Sequence, residues 1–319
     1  MLPKYLSVLS LGALILTTGA RADDPVTPAI PGVAAGGVVV DLIKDGFNGT
    51  EGPIAYSDGS LLFTETNADK IVRIAADDKV STFLEKSNGA NGLALTPEGQ
   101  IVAVQTKKTQ VGVVYPEKQK QVLAENYQGT AFQRPNDLVR ANNGGIYFTD
   151  SGTRPSKENP TPPPSHPGVF YISPAGELKQ LATDIERPNG IQLSKDEKTL
   201  YVANTQGEHI LAYDIAADGS ISNKRNFAKL DGWKKGDDGT WSSGADGLAL
   251  DDEGRLYVAS NSGVEVLSAK GEALGVISLP KKPQNLAFAG IDKKTLYVVG
   301  RGAAYKVPLL TPGIASRAK

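Results

Sequence analysis

Six places in the chain set an oxygen-bearing side chain ahead of an alternating apolar run. They are Glu51 in EGPIAYSDGSLLFTET, Asn91 in NGLALTPEGQIVAVQ, Asn136 in NDLVRANNGGIYFTD, Asn189 in NGIQLSKDEKTLYVAN, Asp246 in DGLALDDEGRLYVAS, and the Gln284-Asn285 pair in QNLAFAGIDKKTLYVVG. Carboxylates and amides gathered at one point offer hard oxygen donors. The chain has no Cys and only two His, His166 and His209, so a thiolate or imidazole site is not indicated, and neither is Zn²⁺. Two carboxylates balance a divalent charge, and several neutral amide oxygens suit the high, flexible coordination of Ca²⁺ better than the compact octahedron of Mg²⁺. There is no thiol nucleophile, and no Gly-x-Ser-x-Gly elbow that would present a serine. The competing reading is structural. Asn-Gly and Asp-Gly are common turn pairs, and a repeat can inherit a turn residue in every copy. Glu51 and Asp246 depart from that uniformity and argue for a site.

The elements that would position these side chains repeat with them. Start-to-start spacings are 40, 45, 53, 57 and 38 residues. Each copy reads as an alternating strand (Leu93 and Leu95, Ile191 and Leu193, Leu248 and Leu250), a polar turn, and a β-branched or aromatic strand (146–149, 200–203, 256–259). Further strand-like runs lie between the copies, at 71–74, 112–115, 169–172, 210–213, 264–267 and 304–307. About four short strands in a unit of 40–50 residues is the pattern of a β-propeller. The expectation is therefore an all-β, six-bladed propeller with four-stranded antiparallel blades around a central metal-binding channel. The innermost strand of each blade lines that channel, so the six opening residues form a ring. Runs such as LYVA and IYF fit strands buried on both faces, where strict alternation relaxes. A two-sheet sandwich is the alternative fold, but it has no need of a fixed repeat. GGVVVDLIK at 36–44 is the candidate strand that closes the last blade.

The bulk numbers agree. With 34 Lys+Arg against 35 Asp+Glu in 319 residues, the net charge of -1 provides no field for nucleic acid or an anionic membrane. Thirty-five Gly and 20 Pro favour many turns. Residues 1–22 read as a secretory signal peptide: Lys4, an apolar run from Leu6 to Leu16, and Ala20-Arg21-Ala22 as the cleavage pattern. That places the mature chain in a periplasm or outside the cell, with no membrane contact after cleavage. Residues 23–35 read as a flexible segment, 36–310 as the propeller and 311–319 as a tail. No oligomerisation segment is visible.

The motifs together resemble the gluconolactonase, senescence marker protein and luciferin-regenerating-enzyme-like family, closest to its secreted bacterial gluconolactonases. The resemblance runs over roughly 45–308. It rests on EGP at 51–53, RPNDL at 134–138, GVFYISPAGE at 168–177, RPNGIQLSKDEKTLYVANT at 187–205, ADGLALDDEGRLYVAS at 245–260 and KTLYVVGRGAAYKV at 294–307. It implies a divalent metal, usually Ca²⁺, with Glu51, Asn189 and Asp246 as direct ligands. Asn136 would sit at the metal's open side, Arg134 would contact substrate, and Asn91 is less certain because the second blade varies. The implied activity is metal-dependent opening of a small-molecule sugar lactone. Such a reaction needs a Lewis acid on the carbonyl, a water, and a group to take its proton. Asp246 is the expected general base, with Glu51 next and Asn136 orienting substrate or water. Arg134 reads equally as a partner of sugar hydroxyls or the developing oxyanion and as one half of a surface salt bridge. His166, in the insert at 153–168, is the only plausible histidine base and reads more simply as a solvated loop residue. Trp233 and Trp241, in the insert at 223–247, either stack on a sugar or pack their loop. A propeller esterase or phosphotriesterase, and a non-catalytic binding propeller with a structural ion, are the alternative functions.

Overall fold

A computed structural model describes residues 25–153 and 159–319; the signal-peptide reading of 1–22 and part of the insert at 153–168 lie outside the described residues. The described chain forms six four-stranded antiparallel sheets, five of them running in sequence order from an inner to an outer strand. Blade 1 consists of Thr50–Ala55, Leu61–Glu65, Lys70–Ile74 and Val80–Glu85. Blade 2 consists of Ala90–Leu95, Ile101–Gln105, Gln110–Tyr115 and Gln121–Ala124. Blade 3 is Pro135–Arg140, Ile146–Asp150, Gly168–Ile172 and Leu178–Ala182. Blade 4 is Pro188–Leu193, Thr199–Asn204, His209–Ile215 and Ile221–Lys229. Leu248–Leu250, Leu256–Ala259, Val264–Leu267 and Ala273–Ile277 make blade 5. In blade 6, Asn285–Ala289, Thr295–Gly300 and Ala303–Pro308 are completed by Asp41–Asp45 from the other end of the chain, paired antiparallel to Ala303–Pro308. The ring is thus closed by the strand that the sequence marks.

The core lies between blades. In the second strand of blade 4, Leu200 and Val202 pack with Val139, Tyr147 and Val169 of blade 3. Their alternates Tyr201 and Ala203 pack with Leu248, Leu256 and Val258 of blade 5. Clusters of the same kind join blades 2 and 3, 5 and 6, 6 and 1, and 1 and 2. A strand that feeds two cores must be apolar at every position, which accounts for the unbroken runs in the sequence.

Two segments are more ordered than expected. The stretch expected to be flexible packs instead: Ile30, Val33 and Ala34 join the core between blades 5 and 6, and Val26 bridges Val39. Burial of these three side chains, together with backbone bonds such as Thr27 N–H to the Val38 carbonyl (2.7 Å) and Val40 N–H to the Pro25 carbonyl (2.8 Å), offsets the entropy lost on ordering. Residues 311–319 fold beneath the ring, with Ile314, Arg317 and Lys319 buried.

Candidate functional site

The convergence of the opening residues has a backbone cause. In blades 1 to 4 the pairing register shifts just inside the start of the inner strand, between Glu51 and Ile54, Ala90 and Leu93, Pro135 and Leu138, and Pro188 and Ile191. A bulge there re-aims the side chain that precedes regular pairing. The residue after the opener is Gly in four blades, because neighbouring inner strands nearly touch. A Cβ on Gly52 would overlap the carbonyl oxygen of Asn91, and one on Gly190 would overlap that of Asp246. Gly92, Gly190 and Gly247 do not have positive φ. Close approach, not turn geometry, requires them. The Asn-Gly and Asp-Gly pairs therefore mark the narrow neck of the channel.

The openers divide into classes by their hydrogen bonds. Asn91 joins blades through both ends of its amide: its Nδ2 donates to the Asn136 carbonyl (2.8 Å), and its Oδ1 (3.0 Å) shares the Thr66 hydroxyl proton with the Ala90 carbonyl (3.0 Å). Gln284 and Asn285 serve Glu51: Gln284 Nε2 donates to Oε1 (3.4 Å) and Asn285 Nδ2 to Oε2 (3.1 Å). Asn189 is held on one side only. Thr205 Oγ1 donates its proton to the Ala245 carbonyl (2.8 Å), so toward Asn189 it acts as acceptor, and it receives Nδ2 at 3.0 Å. That fixes the amide's orientation and leaves Asn189 Oδ1 buried with no partner among the described residues. Asp246 Oδ1 is in the same condition. Asn136 is half-exposed, and its side chain makes no hydrogen bond among the described residues.

Charge sharpens the picture. Burial raises the Glu51 carboxyl to about 7, with the Asn285 hydrogen bond working against the rise and the Asp137 charge adding to it. Burial pushes Asp246 well above the ordinary carboxylate range, the charge of Glu51 pushes it further, and Lys282 and Arg187 oppose. Two carboxylates that repel each other, the Asp246 one with an unpartnered oxygen, beside the unpartnered amide oxygen of Asn189, are an arrangement that a cation relieves. No group of three Asp, Glu or His side chains suited to a metal ion gathers among the described residues; two carboxylates and an amide are the candidate donors. Hard oxygen donors with two negative charges fit a divalent ion of the Ca²⁺ type.

A set of positioning residues escaped the sequence reading. In blades 1 to 4 the second strand ends in a polar residue that holds the loop entering the inner strand. Asp150 is buried and accepts from the backbone N–H of Gln133 (2.9 Å), Arg134 (2.8 Å) and Gly152 (2.8 Å). Asn204 Oδ1 accepts from Arg187 N–H (3.0 Å), and Glu65 from Asn48 N–H (2.8 Å). The signal was present as the polar letter closing the apolar run in four of the copies: Glu65, Gln105, Asp150 and Asn204.

The remaining candidates stand apart from the ring's hydrogen bonds. Arg134 is exposed, its backbone tied to Asp150. His166 meets the Tyr127 ring edge-on at 5.8 Å, and its carbonyl accepts from Gln180 on the outer strand of blade 3 (3.3 Å). His209 opens a strand, 3.8 Å from Glu208. Trp233 and Trp241 stack on each other at 5.4 Å, and Trp241 is half exposed.

Comparison with known proteins gives concordant results. The model of the SMP-30/Gluconolactonase/LRE-like region matches residues 49–301. A gluconolactonase of Zymomonas mobilis is 30% identical over 282 residues, 81% of this chain and 78% of that protein. The solved structure of a Xanthomonas campestris gluconolactonase superposes with a TM-score of 0.76 at 26% identity, covering 90% of this chain and 95% of that one. A calcium-binding regucalcin from Agrobacterium tumefaciens shares the fold at a TM-score of 0.69 and 16% identity, covering 87% and 97%. With this site and this six-bladed ring, the chain belongs to the SMP-30/gluconolactonase/LRE-like family.

Proposed function

We propose that the protein is a divalent-metal-dependent lactonase that opens sugar lactones, with Glu51, Asn189 and Asp246 as the ligands of the ion and Ca²⁺ as the ion. The observation that carries this reading is the pair of mutually repelling carboxylates, the Asp246 one with an unpartnered oxygen, beside the unpartnered Asn189 oxygen. The gluconolactonase names of relatives in two bacteria support the substrate class.

When bound, a divalent cation polarises a carbonyl oxygen and lowers the pKa of water. The chain's residues supply the rest. Glu51, clamped by Gln284 and Asn285, is the oriented ligand and the poorer base, since both its oxygens already accept hydrogen bonds. The Asp246 carboxylate accepts no hydrogen bond among the described residues, so one of its oxygens can hold the ion while the other receives a proton from water. Asn136, half-exposed with a free amide, orients the lactone or the water. Arg134, exposed on a backbone fixed by Asp150, meets hydroxyls or the developing oxyanion. Export by the signal peptide belongs to the same reading, and amino-terminal sequencing of the secreted protein checks it.

The test is pH-stat hydrolysis of glucono-1,5-lactone, with the spontaneous rate subtracted. Asp246→Asn should lose about 100-fold or more in turnover, the usual scale for a general base. A wild-type rate in that variant, with metal still bound, would remove Asp246 from the role.

A further inference from the structure

The residue after each opener is Gly in blades 1, 2, 4 and 5, Asp137 in blade 3 and Asn285 in blade 6. Asn285 serves Glu51. Asp137 is fully buried and belongs to neither the ligand set nor the clamp. Its Oδ1 accepts from Leu138 N–H (2.9 Å), and its Oδ2 is bound by the ammonium of Lys319, 182 residues away.

The segment that delivers Lys319 is fastened to the far ends of the inner strands, opposite the openers. Ile314 N–H donates to the Leu250 carbonyl (3.4 Å), and Ala55 N–H donates to the Ala318 carbonyl (2.7 Å). Arg317 pairs with Glu197 (3.0 Å) and donates to the carbonyls of Leu193 (2.7 Å) and Ser194 (3.0 Å). Gln192 Nε2 donates to the Lys319 carbonyl (3.2 Å). Ala55, Leu193 and Leu250 close the inner strands of blades 1, 4 and 5, so the segment spans the channel's far mouth. A cavity of about 440 Å³ opens on that face, and residues 315–319 form part of its wall. Lys319 reaches from there toward the ring and is itself 5% exposed.

We propose that Lys319 is a tethered cation of the channel: its ammonium is the fixed countercharge of Asp137 beneath the ring, and the segment carrying it closes the far mouth, so that ligands reach the ring from the opener side alone. A buried lysine and aspartate are each costly alone and tolerable together. Their charges reach the site. Opposite unit charges in contact largely cancel at a distance, so the pair is near neutral toward an ion at the ring only while both members are present. Lys319 is a positioning residue in this scheme. It touches no substrate and acts through the field at the ring.

The test is a double-mutant cycle on the full chain at pH 8, with Lys319→Met, Asp137→Asn and the double variant, read by Ca²⁺ titration and thermal unfolding. Removing the ammonium leaves an extra negative charge and should tighten Ca²⁺ binding about tenfold. Removing the carboxylate leaves an extra positive charge and should weaken it about tenfold, the Coulomb energy of a unit charge roughly 12 Å from a divalent ion at an effective dielectric of about 40. The double variant should bind as the wild type does and unfold at a higher temperature than either single variant. Single variants that do not fold beside a double variant that does carry the same meaning. Equal affinities in all four proteins, weakening in both single variants, or a double variant that fails to fold would each overturn the proposal. If no form binds Ca²⁺, the unfolding temperatures alone decide the cycle, and the lactonase reading fails separately.

Discussion

Among single residues, identical letters do different work. Asn91 and Asn189 occupy equivalent positions in their blades, yet both ends of the Asn91 amide are consumed within the protein, whereas the Asn189 oxygen is orphaned. Asn91→Ala should therefore cost about 1–2 kcal/mol of stability, the scale of losing a buried hydrogen-bonded group, and leave Ca²⁺ affinity near that of the wild type. Asn189→Ala should weaken Ca²⁺ binding at least about tenfold; calorimetric titration and chemical denaturation separate the two. Acidity gives a second prediction. The Glu51 carboxyl ionises near 4.5 when unfolded and at about 7 in the folded, metal-free chain. The folded state then holds the proton more tightly, so this group's contribution stabilises the metal-free protein below pH 4.5 and is lost as pH rises through 7. Chelated wild-type protein should gain more stability between pH 8 and pH 5 than Glu51→Gln does. Parallel stability profiles for the two would refute the assignment. The sequence displayed the oxygen donors but could not rank them, because the partners that consume or spare each amide (Thr66, Thr205, Gln284) come from other strands.

At the scale of the element, the inner strand is the unit that makes the site. Its bulge re-aims the opener, its glycine admits the next blade, and the polar end of the second strand fixes the loop before it. Gly190→Ala tests the close approach. Its Cβ would meet the Asp246 carbonyl and the Gly247 backbone, neither of which can swing aside as a flexible side chain does. The variant should lose more than the roughly 1–3 kcal/mol typical of overpacking and should lose Ca²⁺ binding with it, since Asp246 is displaced. Unchanged melting and metal content would show that the blades can part at the neck. The strands were legible because two-sided burial writes continuous apolar runs. The glycines were legible as letters, with a turn as the competing reading of each pair; only the distance between neighbouring blades shows their purpose.

For the molecule as a whole, the propeller is a ring of six interblade cores closed by the strand Asp41–Asp45. Closure was legible, since the count of copies and the spare apolar run at 36–44 implied it. The packing of residues 25–40 and the far-mouth segment at 311–319 was not. Neither carries a repeat, and the contacts that order them bridge most of the chain: Arg255 to Gly32, and Lys319 to Asp137. Periodicity exposes what recurs, and these segments occur once.

The central claim is that one divalent ion at the ring makes the propeller a lactonase. The direct measurement is to chelate the full protein, titrate Ca²⁺ back, and follow bound metal and glucono-1,5-lactone hydrolysis in the same samples. The account predicts that turnover vanishes on chelation and returns in proportion to one ion bound per chain. Turnover that persists without metal, or an ion that returns without turnover, would contradict it.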